Sequence, residues 1–241
     1  MTTLNNTGIS NGWYAVTEDV TISGRITVSG TVHLILCDGK TLTASSGVSV
    51  NSGNTLNIYS QSEGSNQGSL SATSNSRGPA VIGGSGKYQS GGTIVINGGN
   101  ITATGGDYSA GIGGGNRGSG GNITINGGTV TVNSSGDSGI GGGYNGAGGT
   151  ITINGGTVTA KSTYAGAGIG GGQYGAGANV TVTGGTVIAT GDDANGIGRG
   201  YKASDIGSLT VTGGLKVYKD YNCTQVNTDY ANTRTTIMVI K

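Results

Sequence analysis

The feature that most constrains the fold of this chain is a repeat of 28 or 29 residues. Four consecutive copies occupy residues 91–119, 120–147, 148–176 and 177–205, with lengths of 29, 28, 29 and 29 residues. Each copy has two short stretches of alternating apolar and polar residues, then a run of glycines around one isoleucine. A disordered glycine-rich segment has no reason to keep this register, whereas a solenoid of stacked coils requires it.

The repeat extends beyond these four copies. Residues 53–90 form a fifth copy with an insertion near residues 60–67, and residues 30–52 and 206–220 look like shorter copies. The repeat therefore accounts for most of the 241 residues and explains why 54 of them are glycine.

The alternation within each copy predicts short strands with one dry face. Ile123 and Ile125 lie opposite Thr124, and Val130 and Val132 repeat the pattern after an Asn-Gly-Gly corner. We predict an all-β chain, a single-stranded right-handed parallel β-helix (a β-solenoid). It has about seven coils of 28–29 residues with three short strands per coil, and both of its ends are capped.

Stacking the copies predicts three inward columns of apolar residues. Two columns come from the alternating stretches and one comes from the glycine run. The predicted columns are Ile94, Ile123, Ile151, Val180 and Leu209; Ile96, Ile125, Ile153, Val182 and Val211; and Ile82, Ile112, Ile140, Ile169 and Ile197.

The open ends of such a rod expose unpaired strand edges, so we expect caps. The predicted divisions are an N-terminal cap at residues 1–19, β-helix repeats at 20–212, and the last coil with a C-terminal cap at 213–241. The C-terminal cap ends in a predicted strand over residues 235–240.

In the N-terminal cap, Trp13 and Tyr14 are candidates for covering the first coil beneath Ile35 or Leu36.

Several classes of partner and cofactor are disfavoured. Residues 166–171 satisfy the G-x-G-x-x-G pattern, but a strand follows them where a dinucleotide site needs a helix, so we expect no nucleotide and no cofactor. The net charge is +1 and the twelve Lys and Arg residues are scattered, which argues against nucleic acid. The apolar run at residues 32–37 is too short for membrane insertion, and residues 1–12 have no signal-peptide pattern.

The two cysteines lie in the first coil and beyond the last one. About six coil rises separate Cys37 from Cys223, far more than the roughly 7 Å between Cα atoms that a disulfide tolerates. We therefore predict two free thiols.

Three features resemble a known family. They are residues 13–44, residues 55–73, and the iterated motifs AGIGGG and GGTITINGGTVTA. These resemble the glycine-rich β-helix repeats of large secreted or wall-attached proteins of gut-dwelling Gram-positive bacteria, segments commonly labelled carbohydrate-binding or adhesin-like. The resemblance implies an extracellular, secreted or cell-surface module beside other modules of a larger surface protein. It carries no catalytic or ligand-binding motif.

Varied polar and aromatic residues follow each glycine run, at equivalent places on successive coils. We predict that they form an exposed stripe, in which aromatic rings contact the apolar face of a sugar and polar groups bind its hydroxyls. Ordinary solvated turns are the alternative. The paired positions are Lys87 and Tyr88, Asn116 and Arg117, Tyr144 and Asn145, Gln173 and Tyr174, and Tyr201 and Lys202.

Acidic residues precede the glycine runs and are added to the predicted ligand-binding set. Asp107 and Asp137 lie on adjacent copies, near Tyr108 and Tyr164, and Asp192 with Asp193 follows. Paired carboxylates serve glycosidases, and converging oxygens serve calcium. These acidic residues lie at different distances along the sequence from their glycine runs, so we expect neither a catalytic pair nor a metal site. The alternative to ligand binding is that they form local hydrogen bonds in turns.

Other chemistry is weakly indicated. His33 alternates outward without a Ser or Cys partner at triad spacing, and neither Arg117 nor Arg199 has a feature that would make it a lyase base. Threonines form outward rows that suggest an ice-binding face, but Asn100 and Ile188 interrupt them.

The sequence thus predicts a monomeric, non-enzymatic module that binds a polysaccharide or other glycan. A rigid spacer without a ligand is the alternative. The sequence favours a polysaccharide lyase or hydrolase, or an ice-binding protein, less than either of these.

Overall fold

A computed structural model describes residues 2–227 and 235–241, and within these ranges the protein is all-β with no helix. In chain order the strands are β1 (Thr2–Thr3), β2 (Gly8–Val16), β3 (Val20–Ile22), β4 (Ile26–Leu36), β5 (Thr41–Ala44), β6 (Val48–Ser49), β7 (Thr55–Ser60), β8 (Ser69–Arg77), β9 (Ile82–Gly83), β10 (Thr93–Ile96), β11 (Asn100–Asp107), β12 (Ile112–Gly113), β13 (Asn122–Ile125), β14 (Thr129–Ser134), β15 (Ile140–Gly141), β16 (Thr150–Ile153), β17 (Thr157–Ser162), β18 (Ile169–Gly170), β19 (Asn179–Val182), β20 (Thr186–Thr190), β21 (Ile197–Gly198), β22 (Ser208–Val211), β23 (Val217–Tyr218) and β24 (Ile237–Ile240).

The strands stack into three parallel ladders around one core. The first ladder runs from the start of β4 through β6, β9, β12, β15 and β18 to β21. The second runs from β2 and the end of β4 through β7, β10, β13, β16 and β19 to β22. The third runs from β3 through β5, β8, β11, β14 and β17 to β20. Each repeat supplies one strand to each ladder, as the predicted parallel β-helix requires.

The predicted inward columns are confirmed by the strand register. Ile123 pairs with Ile94 and Ile151, and Ile140 pairs with Ile112 and Ile169. These side chains are almost completely buried. At the last rung, Leu209 and Val211 are only partly buried, because no further strand of the described residues pairs beyond β22. The outward threonine rows are also present, and Ile188 interrupts one of them.

Glycine is required where successive coils approach most closely. Gly113, Gly141 and Gly170 follow the isoleucines of the first ladder with φ of 134°, 136° and 143°. A methyl group on any of them would collide with the backbone carbonyl of the glycine in the next coil. The glycine run therefore serves the scaffold, because neither the backbone angle nor the space admits a larger residue.

A partly buried arginine connects the first coils. Arg25 donates from Nε to the Ser49 hydroxyl at 2.6 Å, and its other nitrogens donate to the carbonyls of Ser46, Val48 and Ala80. Burial lowers the pKa of Arg25 to about 10. No sequence pattern indicated this contact, because Arg25 lies outside the regular copies.

At the N-terminus, β2 continues the second ladder in parallel with β4. The prediction that Trp13 covers the first coil is wrong. Trp13 pairs with His33 on the outer face and is 48% exposed, whereas Tyr14 and Val16 pair with the inward Leu34 and Leu36 and pack against the core. The reason is strand parity, since alternate residues of β2 point inward and Trp13 falls on the other set.

At the C-terminus, β24 pairs antiparallel with both β20 and β23. Met238, Val239 and Ile240 are buried there, so the predicted terminal strand covers the end of the third ladder. Residues 228–234 of the predicted C-terminal cap lie outside the described residues, and the three domain boundaries stay predictions. Cys37 and Cys223 are both free thiols.

Candidate functional site

Each regular repeat closes with a four-residue turn directly after its glycine run. The amide of the last residue donates to the carbonyl of the first, as in Gly118 to Gly115 at 2.8 Å and Gly146 to Gly143 at 2.6 Å. Adjacent turns are also bonded to each other, since the amide of Arg117 donates to the Tyr144 carbonyl at 2.8 Å. The turns therefore stack as one continuous column along the solenoid.

The third residue of every turn has a positive φ. This angle is normally met by glycine or asparagine, because a side chain crowds the backbone there. All five residues are exposed and, apart from Asn145, are large. They are Tyr88 (φ 64°), Arg117 (φ 62°), Asn145 (φ 56°), Tyr174 (φ 62°) and Lys202 (φ 59°).

The second residue of every turn forms a neighbouring column that lies closer to the core. The members are Lys87, Asn116, Tyr144, Gln173 and Tyr201, and the last four are partly buried. The predicted equivalence of the five pairs is thus confirmed by the backbone. The predicted exposed stripe of rings and polar groups is divided between the two columns, because tyrosine is the second residue of some turns and the third residue of others.

Aromatic rings do meet in the middle of the solenoid. The Tyr144 ring lies edge-on to the rings of Tyr108 and Tyr174, with centroid separations of 5.7 and 5.8 Å. Tyr174 is 43% exposed, so one side of this cluster faces solvent.

Cations accompany the outer tyrosines. The Arg117 guanidinium lies 5.8 Å from the centroid of the Tyr88 ring, and Lys87 Nζ lies 4.9 Å from it. A hydrogen bond and the positive charge of Lys87, together with Arg117, lower the pKa of the Tyr88 hydroxyl. At the other end, Lys202 Nζ lies 5.1 Å from the centroid of the Tyr201 ring.

A pocket of about 180 Å³ opens beside the aromatic cluster. It brings together Asp107 and Asp137 with Tyr108, Tyr164 and Gln173. Asp107 accepts a hydrogen bond from Arg77 Nε at 2.8 Å, and the Arg77 guanidinium lies 4.5 Å from the Tyr108 centroid. Two of the acidic candidates, Asp107 and Asp137, therefore border one pocket with the turn residue Gln173, although the sequence suggested two separate groups.

Asp137 is the unusual group of this pocket. Its side chain is 1% exposed, and Oδ1 accepts a 2.7 Å hydrogen bond from the Gln173 amide. In neighbouring turns the equivalent amide donates to a backbone carbonyl, as Tyr144 does to Tyr108 and Tyr201 does to Ala165. Burial raises the pKa of Asp137 to about 7, and the charge of Asp107 adds to the rise against the Gln173 hydrogen bond.

Sequence reasoning missed Arg77, although a signal existed. Arg77 pairs with Asp107 across β8 and β11, and both precede the buried isoleucine of their coil by five residues. The insertion in that copy and a register shift after Gly105 obscure the equivalence.

The other acidic candidates lie on the next coil. Asp192 and Asp193 are exposed, and the Asp193 amide donates to the Tyr164 carbonyl at 3.3 Å. Within residues 2–227 and 235–241, no group of three or more His, Cys, Asp or Glu side chains could hold a metal ion. In the same ranges no helix is long and apolar enough to cross a membrane.

A second aromatic cluster lies on the outer face of the second ladder. His33 points outward as predicted, and its ring stacks on Trp13 with centroids 4.2 Å apart. Tyr59 completes the cluster, which the sequence did not reveal because Trp13 and Tyr59 belong to irregular segments.

Comparison with known families finds one match. A family model described as a beta helix repeat matches residues 94–116, 123–144, 151–173 and 180–200. This segment is a parallel β-helix. No curated protein and no solved structure matches the chain.

The four β-helix repeats that match end at or just before the turn column. Three of them stop immediately before Arg117, Asn145 and Tyr174. The match thus covers the ladders and the glycines, and also Asp107 and Asp137, but not the exposed residues with positive φ. The β-helix match identifies the scaffold and leaves the ligand of the site to be argued from its chemistry.

Proposed function

We propose that the chain is a non-enzymatic, extracellular β-solenoid module that presents a carbohydrate-binding or adhesive surface. The binding surface is the turn column with the adjoining pocket. One observation carries the proposal. In a chain with 54 glycines, five turn positions that favour glycine hold Tyr, Arg, Asn, Tyr and Lys. Positive φ in the four residues other than Asn145 costs roughly 1–3 kcal/mol each, and strain of this kind clusters at functional sites.

The chemistry of these side chains suits a sugar. A pyranose offers an apolar face to a ring such as Tyr174 and hydroxyls to amide, guanidinium and ammonium groups. Asn145 and Arg117 supply such groups on adjacent turns. A polymer running along the solenoid axis meets one exposed turn side chain per coil, so several weak contacts add.

The proposal extends to the setting of the module. The solenoid is right-handed with about seven coils, acts as a monomer, and projects from a larger surface protein beside other modules. The resemblance of residues 13–44 and 55–73 to wall-attached proteins supports the extracellular setting.

Retention on insoluble polysaccharides tests the proposal. Tyr144→Ala and Tyr174→Ala are each expected to weaken binding by roughly 1–3 kcal/mol, as truncation of an aromatic anchor does. Tyr221→Ala is the matched control, since Tyr221 is an exposed tyrosine that lies outside the turn column. Equal retention of all three variants would remove the turn column as the binding surface.

A rigid spacer without a ligand is the second candidate. It is favoured by the inward columns, which run without interruption from β10 to β22. If the purified chain binds no plant, mucin or microbial glycan on an array, the spacer is the better account.

Hydrolysis of a glycosidic bond is the remaining candidate. It is favoured by the pocket, where Asp137 has a pKa of about 7 and Asp107 is paired with Arg77. Such a difference in environment suits an acid and a base. Release of reducing sugar that Asp137→Asn abolishes would establish it in place of simple binding.

A further inference from the structure

The aromatic cluster of Trp13, His33 and Tyr59 is open on one side. The three ring planes are nearly parallel, with interplanar angles of 13°, 28° and 24°. His33 Nδ1 and the Tyr59 hydroxyl lie 3.2 Å apart, which fixes the relative positions of the two rings. Trp13 is nevertheless 48% exposed, so the cluster presents a flat apolar surface to solvent.

A polar groove of about 480 Å³ begins at the same cluster. Tyr59 lines it on one side, and the insertion at residues 60–67 forms a wall with Gln61, Glu63 and Gln67. The volume falls within the roughly 300–1,000 Å³ that small-molecule sites occupy. The insertion, which no other copy has, thus creates a concave feature beside the exposed rings.

A ladder of side-chain amides begins with Asn97 and Asn126, which line the groove, and continues to Asn154 on the next coil. Asn126 Nδ2 donates to Asn97 Oδ1 at 2.8 Å, and Asn154 Nδ2 donates to Asn126 Oδ1 at 2.8 Å. Each Nδ2 carries two hydrogens, and the ladder uses one of them. A hydrogen-bond donor is therefore offered at each coil, next to Tyr59 and in line with the solenoid axis.

We propose that this cluster and groove form a second binding site, which takes a neutral glycan with one pyranose ring stacked on Trp13 and the chain continuing over the asparagine ladder. Rings beside ordered amides match the apolar face and the hydroxyls of a sugar. None of the residues that line the groove is Lys or Arg, and Glu63 is a carboxylate. The charge therefore favours a neutral sugar over a uronic acid or another polyanion. The site is separate from the turn column and does not depend on it.

Trp13 is the only tryptophan of the chain, so its fluorescence reports on this site alone. The probes are cellohexaose, xylohexaose and mannohexaose, with a hexamer of galacturonic acid as the charged comparison. We expect a saturable change in Trp13 fluorescence with at least one neutral hexasaccharide and none with the charged one. Tyr59→Ala and Asn97→Ala are expected to raise the Kd at least tenfold.

Tyr221→Ala is the matched control, since Tyr221 is an exposed tyrosine that lines neither this groove nor the pocket beside the turn column. It is expected to leave the fluorescence titration unchanged. Because Trp13→Ala removes the signal, its binding is measured by calorimetry, and thermal melting verifies that each variant is folded.

If none of the three neutral hexasaccharides changes the fluorescence of Trp13, the proposal is wrong. Binding that Tyr59→Ala and Trp13→Ala leave intact would also overturn it. If polysaccharide retention is lost in Tyr144→Ala and Tyr174→Ala while Trp13 stays silent, the turn column is a binding surface and this second site is not. If Trp13 fluorescence responds while Tyr144→Ala and Tyr174→Ala retain polysaccharide as the original protein does, this second site binds the glycan and the turn column does not.

Discussion

The carboxyl group of Asp137 sets the electrostatics of the pocket beside the turn column. It is buried, it accepts the amide of Gln173, and its pKa of about 7 follows first from burial and then from the charge of Asp107. Near neutral pH a fraction of this group holds a proton. The charge of the pocket therefore changes near neutral pH through Asp137.

The stability of the fold should depend on pH through Asp137. The folded chain keeps the proton up to about pH 7, whereas the unfolded chain loses it near its ordinary pKa of 3.8. The folded state therefore binds more protons in that window, and stability falls as pH rises from about 4 to about 7, by about 2–4 kcal/mol.

Asp137→Asn should remove this loss, since the amide oxygen can still accept from Gln173. The measurement is denaturant unfolding of both proteins between pH 4 and pH 8. Parallel stability curves for the two proteins would show that Asp137 is not buried as described.

Gly141→Ala should lower the free energy of unfolding by about 2–3 kcal/mol, because the methyl group would meet the Gly170 carbonyl at a backbone angle suited to glycine. Gly86→Ala is the control, since a methyl group there has no atom within 4 Å. Thermal melting compares the two. A Gly141→Ala protein as stable as the Gly86→Ala protein would contradict the close approach of the coils.

The turn contains both glycines that hold the coils together and exposed side chains that the fold does not need. Its glycines bond to the same turn and to the next, whereas its third residue points to solvent with a positive φ. Glycine at that position would relieve strain without disturbing the column. Folding alone therefore does not require the large side chains found there.

Arg117→Gly tests this view of the turn. Glycine relieves the strain of the positive φ, which stabilises the fold. It also loses the contact with Tyr88 and makes the unfolded chain more flexible, and both effects destabilise the fold. Because these effects oppose one another, we expect the free energy of unfolding to stay within about 1 kcal/mol of the original. Arg117→Val should instead cost about 1 kcal/mol or more, since a β-branched residue is poorly accommodated at this angle. Chemical denaturation measures both, and a tolerated valine with a damaging glycine would contradict the turn geometry.

At the scale of the whole molecule, stability comes from columns that no single repeat can form. Each coil buries its isoleucines only because the coils on either side supply the rest of the column. The ends are closed differently, by β2 in parallel and by β24 in antiparallel pairing. A substitution that disrupts one inward column should therefore also destabilise the adjacent coils.

Ile153→Asp should destabilise the solenoid by about 4 kcal/mol or more, because it buries an unpaired charge between Ile125 and Val182. Thr152→Asp is the control, since Thr152 is the outward neighbour on the same strand. Circular dichroism on heating distinguishes them. Equal melting temperatures would show that the inward face is assigned to the wrong set of residues.

The repeat, the three ladders, the inward columns and the equivalence of the turn positions could all be predicted from the sequence. This was possible because a period of 28–29 residues places like residues above one another wherever the coils stack regularly. Irregular segments lack this period, so the sequence predicted neither the contact of Arg77 with Asp107 nor the outward direction of Trp13. The three-dimensional packing alone shows that Asp107, Asp137 and the turn residue Gln173 border one pocket, and that Trp13, His33 and Tyr59 form one cluster. These contacts depend on the direction and burial of side chains between different coils, and packing across coils sets both.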